Sequence, residues 1–240
     1  MCLDGNATFC NDEYDLLSVY STGSLSNVRA SGIVGMAPKN YYSDDAPLFM
    51  DEMYKAGAIE EKVFSLHVTD YMDGDNNGEG SKLLIGGYDL DEYAKKGEQV
   101  TWNSLVNTYY WAVTLTSVSV KPPKDSTYNL QTESTMAIVD SGTSYLLMPE
   151  KDFNNLLKYL SSSNGMNFRP LSSNGMINYA ACSYEEYLLL PDLEVQLNSY
   201  VYTMPRSSYI LYEANVCYML IMAKDFGTQT SWIADSTGYR

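Results

Sequence analysis

The stretch Ala137-Ile138-Val139-Asp140-Ser141-Gly142-Thr143-Ser144-Tyr145-Leu146-Leu147-Met148-Pro149 decides how this chain is read. Three apolar residues form a short run of the kind that makes a buried strand, a polar turn interrupts it, and a second apolar run returns. Asp140 stands where the first run stops. Gly142 has no Cβ and permits a tight turn there. Ser141, Thr143 and Ser144 supply hydroxyls that can hydrogen-bond a carboxylate and favour its ionised form. Asp140 is thus a carboxylate at a strand end, with Ser141, Gly142, Thr143 and Ser144 as the loop that follows it.

Working outward, Pro149 suits the first turn of a helix, and Phe153, Leu156, Leu157 and Leu160 follow at helical spacing. The segment 161–178 reads as loop. It carries Ser-Ser-Asn-Gly-Met at 162–166 and again at 172–176, a repeated turn signal with too few copies for a repeat architecture. Tyr187–Val195 and Tyr200–Leu211 read as strands, with Pro191 and Pro205 marking edges. On the upstream side, Val100–Val120 is rich in Thr, Val, Trp and Tyr, and Lys121-Pro122-Pro123-Lys124 stops it. Val63–Thr69 and Lys82–Ile85 read as a hairpin around a polar loop at Asp73–Gly80. A short helix is expected between Pro47 and Gly57, and Ser31–Pro38, apolar and punctuated by glycine, reads as a buried strand end. Strands dominate and two short helices interrupt them, so the fold class is mostly β.

Composition narrows the function. Of 240 residues, 45% are hydrophobic and only 19% charged, which supplies a core and argues against disorder. The formal net charge is −15, the wrong sign for a nucleic-acid surface and suited to work in acid, where carboxylates are protonated and self-repulsion relaxes. One histidine and no Cys-x-x-Cys pair rule out a zinc-finger pattern. Asp73-Gly74-Asp75-Asn76-Asn77-Gly78 imitates the first half of a calcium loop, but the position that needs a bidentate Glu is Leu84. No Gly-x-Ser-x-Gly elbow and no phosphate-cradling glycine loop occur. His67, mid-strand, reads as a packed or surface residue. No metal and no cofactor is expected. Cys2, Cys10, Cys182 and Cys217, an even set with wide spacing, read either as two disulfides in an oxidising compartment or as four buried thiols. Asn6-Ala7-Thr8 is a glycosylation sequon that agrees with the secretory route. The first residues lack the basic-then-apolar run of a signal peptide, and no stretch is long enough to span a membrane.

Two or more hydrophobes followed by Asp-Ser-Gly-Thr-Ser resemble the active-site loop of pepsin-like, cathepsin D-like aspartic endopeptidases. Other landmarks follow in that family's order. Ser31-Gly32-Ile33-Val34-Gly35-Met36-Ala37 resembles its Asp-Gly-Ile-Leu-Gly-Leu-Ala, with Ser31 where Asp is usual. Phe64–Val68, Leu84–Asp89 and Tyr110–Val113 resemble successive strands, and Ser231-Trp232-Ile233 resembles the entry to a final strand. The resemblance covers about residues 31–233 and implies a two-lobed β fold, here partial. It places residues 1–99 in the end of the first lobe and residues 100–240 in the second, short of its closing strands. It implies a Cys182–Cys217 disulfide, with Cys2 and Cys10 as a further candidate pair. It sets Tyr110, Tyr209 and Ile210 near substrate pockets, although each reads equally well as packing.

The resemblance also implies the chemistry. In this family two carboxylates share one proton, because like charges at close range cannot both ionise. The ionised member takes a proton from the attacking water, and the protonated one polarises the peptide carbonyl. Only one such loop is present, so the chain by itself is expected to be inactive. Asp235-Ser236-Thr237-Gly238 lacks the context of a second loop, and Tyr20–Ser24 lies too close to Gly32 to be the family's substrate-covering hairpin. The implied partners are a peptide or protein substrate and either a missing first lobe or a second copy of the chain; nucleic acid and membrane are not implied. A non-catalytic, peptide-binding relative and a homodimeric protease are the alternatives, and the implied location is lysosomal, vacuolar or secreted.

Overall fold

A computed structural model of the chain describes residues 32–39, 47–68, 81–143, 145–171, 177–224 and 231–235. The chain divides into two compact units. Of the described residues, 32–39, 47–67, 81–100 and 108–110 belong to the first, and 68, 101–107 and those from 111 onward to the second.

In the first unit, α1 (Phe49–Lys55) buries Phe49 and Met53, one turn apart on the same face. Asp51 and Glu52 in its first turn and Lys55 in its last suit the helix dipole. Gly57 follows with φ of 70°, a left-handed conformation that glycine adopts without steric cost. β1 (Phe64–His67) pairs antiparallel with β2 (Lys82–Ile85), Phe64 opposite Ile85, as the alternation predicts. One turn of helix, α2 (Leu90–Tyr93), was not anticipated; it starts where the Glu92 N–H donates to Asp89 Oδ1 at 3.0 Å. The expected buried strand at Ser31–Pro38 is not found: residues 32–37 are irregular, with Ile33 76% and Val34 49% exposed. An apolar run is buried only where another layer covers it, and among the described residues no strand pairs with this one.

The second unit is built on β3 (Ala112–Lys121). Val113 and Leu115 are buried, then Val118 and Val120. The inward set changes from odd to even positions because a bulge between Leu115 and Ser117 inserts one residue and turns the strand over. After β4 (Tyr128–Leu130) come β5 (Met136–Asp140), β6 (Leu146–Met148) and α3 (Glu150–Asn164), then β7 (Arg169–Pro170), β8 (Asn178–Ala181) and α4 (Tyr184–Leu188). β9 (Asp192–Leu197), β10 (Tyr200–Met204), α5 (Arg206–Tyr209), β11 (Ile210–Glu213), β12 (Val216–Met219), β13 (Ile221–Ala223) and β14 (Ser231–Asp235) complete it. One sheet runs β10-β9-β3-β5-β14-β6-β13 with β4 added to β3, and a second runs β11-β12-β8-β7. α3 starts after Pro149 and buries Phe153, Leu156 and Leu160, the face its periodicity marks, and stops at Gly165 with φ of 68°. Cys182 and Cys217 form a disulfide at the β8–β12 pair.

Three expected strands are shorter than the sequence reading made them. Val100–Val120 becomes a strand only at Ala112, the residues before it being irregular apart from one bridge between Leu105 and Val113. Tyr187–Leu190 is not extended: Ser183 and Glu186 form a capping box, each satisfying the other's backbone N–H, and α4 follows. Tyr200–Leu211 breaks at Pro205, which N-caps the single turn α5 before the chain re-enters β11.

A half-exposed carboxylate between three strands

Ala137 of β5 is buried, Val139 exposed and Asp140 half-buried. β5 pairs antiparallel with β3 through Ala112–Thr114 on one side and parallel with β14 on the other. The chain then turns. The Gly142 N–H donates back to Asp140 Oδ1 at 2.8 Å, and the Thr143 hydroxyl makes a longer contact, 3.4 Å, with the Asp140 carbonyl oxygen. A Cβ on residue 142 would lie 3.1 Å from that same Oδ1, so the bare glycine leaves the carboxylate its place. Ser141 and Gly142 are exposed and Thr143 is half-buried. Leu146 and Met148 of β6 are buried and pin the returning arm.

β14 is seated between the two arms. It runs parallel to β5, with Trp232 level with Ala137 and the Asp235 backbone level with Asp140, and meets β6 antiparallel at Ile233 and Leu147. Asp235 thus closes a paired strand instead of trailing from one; residues 236–238 lie outside the described part. Asp140 Oδ2 accepts no hydrogen bond from the described residues. The Gly142 amide thus orients one oxygen of the carboxylate.

Of the other singled-out residues, Tyr209 and Ile210 are wholly buried in the core of the second unit, the Tyr209 hydroxyl donating to the Pro191 carbonyl at 2.6 Å. Burial raises the Tyr209 phenol far above the usual tyrosine range, with the Asp192 carboxylate adding to it. Neither side chain has exposed surface to offer a ligand. Tyr110, 40% exposed, belongs to the first unit. The His67 ring lies 4.7 Å from that of Tyr93. Cys2, Asn6, Cys10, Ser144, the Tyr20–Ser24 turn and the Asp73–Gly78 loop fall outside the described residues. Among the described residues no cluster of His, Cys, Asp and Glu is placed to hold a metal ion, and no helix is long and apolar enough to cross a membrane.

Sequence reading passed over Asp152. This carboxylate, in the first turn of α3, is completely buried. It accepts from the Glu133 N–H (2.7 Å), the Ser134 hydroxyl (2.6 Å) and N–H (3.4 Å), and the Trp232 indole N–H (2.9 Å). The one available signal was its position: an Asp at the third residue of a helix opened by Pro149, where dipole and free N–H groups favour a carboxylate.

A mostly β fold with a carboxylate on an Asp-Ser-Gly-Thr turn, its arms separated by a third strand, defines the aspartic-protease class. The family description "eukaryotic aspartyl protease" matches residues 9–234, and the chain belongs to that family. Pepsin-3 of Oryctolagus cuniculus is 29% identical over 231 residues, 95% of this chain and 54% of that protein. Pepsin A of Gallus gallus is 31% identical over 199 residues, 83% of this chain and 47% of that protein. Gastricsin of Rattus norvegicus is 25% identical over 214 residues, covering 86% and 48%. The fold is pepsin-like, and the chain spans about half the length of these relatives.

Proposed function

We infer that this chain contributes Asp140 as one of the two carboxylates of a pepsin-type aspartic endopeptidase site. On this reading residues 100–240 are the lobe that bears it and residues 1–99 the end of the other lobe. The observation that carries the inference is the Asp140 carboxyl group itself: half-exposed at a strand end, one oxygen held by the Gly142 amide and the other available to water. The reaction is peptide-bond hydrolysis. The ionised member of the pair takes a proton from the attacking water while the protonated one polarises the peptide carbonyl, and the proton taken from water passes to the leaving amine as the C–N bond breaks. Thr143 braces the turn through its contact with the Asp140 carbonyl oxygen, and no metal or cofactor takes part. The second carboxyl belongs to a facing lobe of a longer chain, in keeping with relatives about twice as long. The substrate is a peptide or unfolded protein met in an acidic secreted or vacuolar setting, which the net charge of −15 suits.

The test is acid proteolysis, at about pH 3–4 where one carboxyl of a pair is protonated. This chain alone, when dilute, is expected to cleave nothing. Joined to a lobe that supplies a facing Asp, it is expected to cleave a denatured protein, and Asp140→Asn to lower kcat/KM at least about 10³-fold. Cleavage by the chain alone that rises with the square of its concentration and vanishes in Asp140→Asn would instead assign the second carboxyl to a second copy. Peptide binding without cleavage in the joined protein, indifferent to Asp140→Asn, would overturn the catalytic reading.

A further inference from the structure

Asp152 is the only buried carboxylate among the described residues, and among them no cation pairs with it. A charge removed from water is costly unless hydrogen bonds replace its hydration. Here three donors come from Glu133 and Ser134, the residues that lead into β5, and the fourth is the indole of Trp232 on β14. Neighbouring side chains of α3 strengthen the same grip: Asn155 Nδ2 donates to the Gln131 carbonyl at 2.8 Å, and Lys151 pairs with Glu133. β6 runs through Pro149 straight into α3, so the returning arm of the Asp140 loop is tied to this helix covalently. Asp152 thus ties the entry to β5 directly to β14, and β6 is joined to it through the chain.

That convergence sets register. β14 is short and buries Trp232 completely, so core packing and the indole's hydrogen bond to Asp152 together hold its register along β5. A slip of one residue would place Ile233 beside Ala137 and carry the indole N–H away from Asp152, leaving the carboxylate short of a donor in the interior. We propose that Asp152 is a positioning residue for Asp140: by holding the Trp232 indole and the entry to β5 together, it fixes where β14 lies between the two arms and hence where the Asp140 carboxylate sits. The proposal builds on the reading of Asp140 given above, and its test makes no use of peptidase activity, so the two stand or fall separately.

The experiment compares wild type with Asp152→Asn, which keeps the shape and turns an amide NH2 toward the donors, and with the milder Ser134→Ala. Two quantities are read by NMR: the carboxyl-carbon resonance of Asp140 through a pH titration, and amide exchange strand by strand. The expected result is a displaced Asp140 titration together with exchange at Ile138 and Ile233 faster by roughly tenfold or more, while Tyr179 and Tyr218 in the β8–β12 pair keep their wild-type rates. Leu193→Ala, a core truncation on β9, is the control: it lowers stability and is expected to leave the Asp140 titration in place. An Asp140 titration unmoved by the loss of Asp152, or exchange accelerated equally in both sheets, would overturn the proposal. Should Asp152→Asn not fold, Ser134→Ala decides by the same two readouts.

Discussion

At Asp140 the local chemistry is set by a neighbour two residues away. The Gly142 amide orients one carboxylate oxygen, and a Cβ at residue 142 would crowd that oxygen at 3.1 Å, so the carboxylate would have to shift slightly to admit it. Gly142→Ala is therefore expected to leave the stability of this exposed turn within about 1 kcal/mol of wild type while turning the carboxylate aside. Thermal unfolding should show little change, and any Asp140-dependent cleavage should fall; unchanged cleavage would show that the carboxylate does not depend on this contact. Tyr209 makes a different point. Its hydroxyl is buried on the Pro191 carbonyl, and burial raises its pKa. With the folded pKa above the unfolded value of about 10, the unfolded chain loses this proton first. The contribution to stability is thus complete below about pH 10 and declines as pH rises beyond it. Tyr209→Phe should cost about 1–3 kcal/mol at neutral pH by stranding the Pro191 carbonyl, and denaturant unfolding should show that deficit shrinking above pH 10.

Among the elements, the β11-β12-β8-β7 sheet has only short strands and depends on a cross-link. The Cys182–Cys217 disulfide joins residues 35 apart, and closing a loop of that length is worth about 3–4 kcal/mol. Replacing both cysteines by serine should lower the urea midpoint accordingly, with amide protection lost first at Tyr179 and Tyr218. A midpoint that does not move would mean the sheet holds without its bridge. The same scale shows where pattern reading failed. The Ser183/Glu186 capping signal was present in the sequence, yet the adjoining Tyr-Leu-Leu-Leu run drew the reading toward a strand. A capping box decides over four residues what a short apolar run leaves open, because it satisfies two backbone N–H groups only in the helical arrangement. The helix after Pro149, by contrast, was legible from its start because four apolar residues recur at helical spacing, though its last turn, 161–164, reads as loop in the sequence.

For the whole molecule the dominant quantity is charge. Thirty acidic residues against fifteen basic ones give mutual repulsion at neutral pH that protonation relieves. The thermal midpoint is expected to be higher near pH 5 than near pH 8, and the gap to narrow at about 1 M salt, where the screening length falls to about 3 Å. A midpoint that rises from pH 5 to pH 8 would show that specific carboxylate bonds, not net charge, govern stability.

The sequence by itself determined the Asp140 turn with its two apolar arms, the β-rich class, and the pepsin-like family through landmarks in order. These are local or compositional properties, carried by residues a few positions apart. Only the tertiary structure decided that β14 lies between the arms of that turn, that Tyr209 and Ile210 belong to the core, and that Asp152 reaches Trp232 across 80 residues of chain. Such pairings are chosen when whole strands compete for the same neighbours and buried donors must all find acceptors, a condition no single window of sequence contains. The carboxylate at residue 140 could be read from its own loop, whereas the one at residue 152 acquires its meaning only once the segment before β5 and the distant β14 have closed on it.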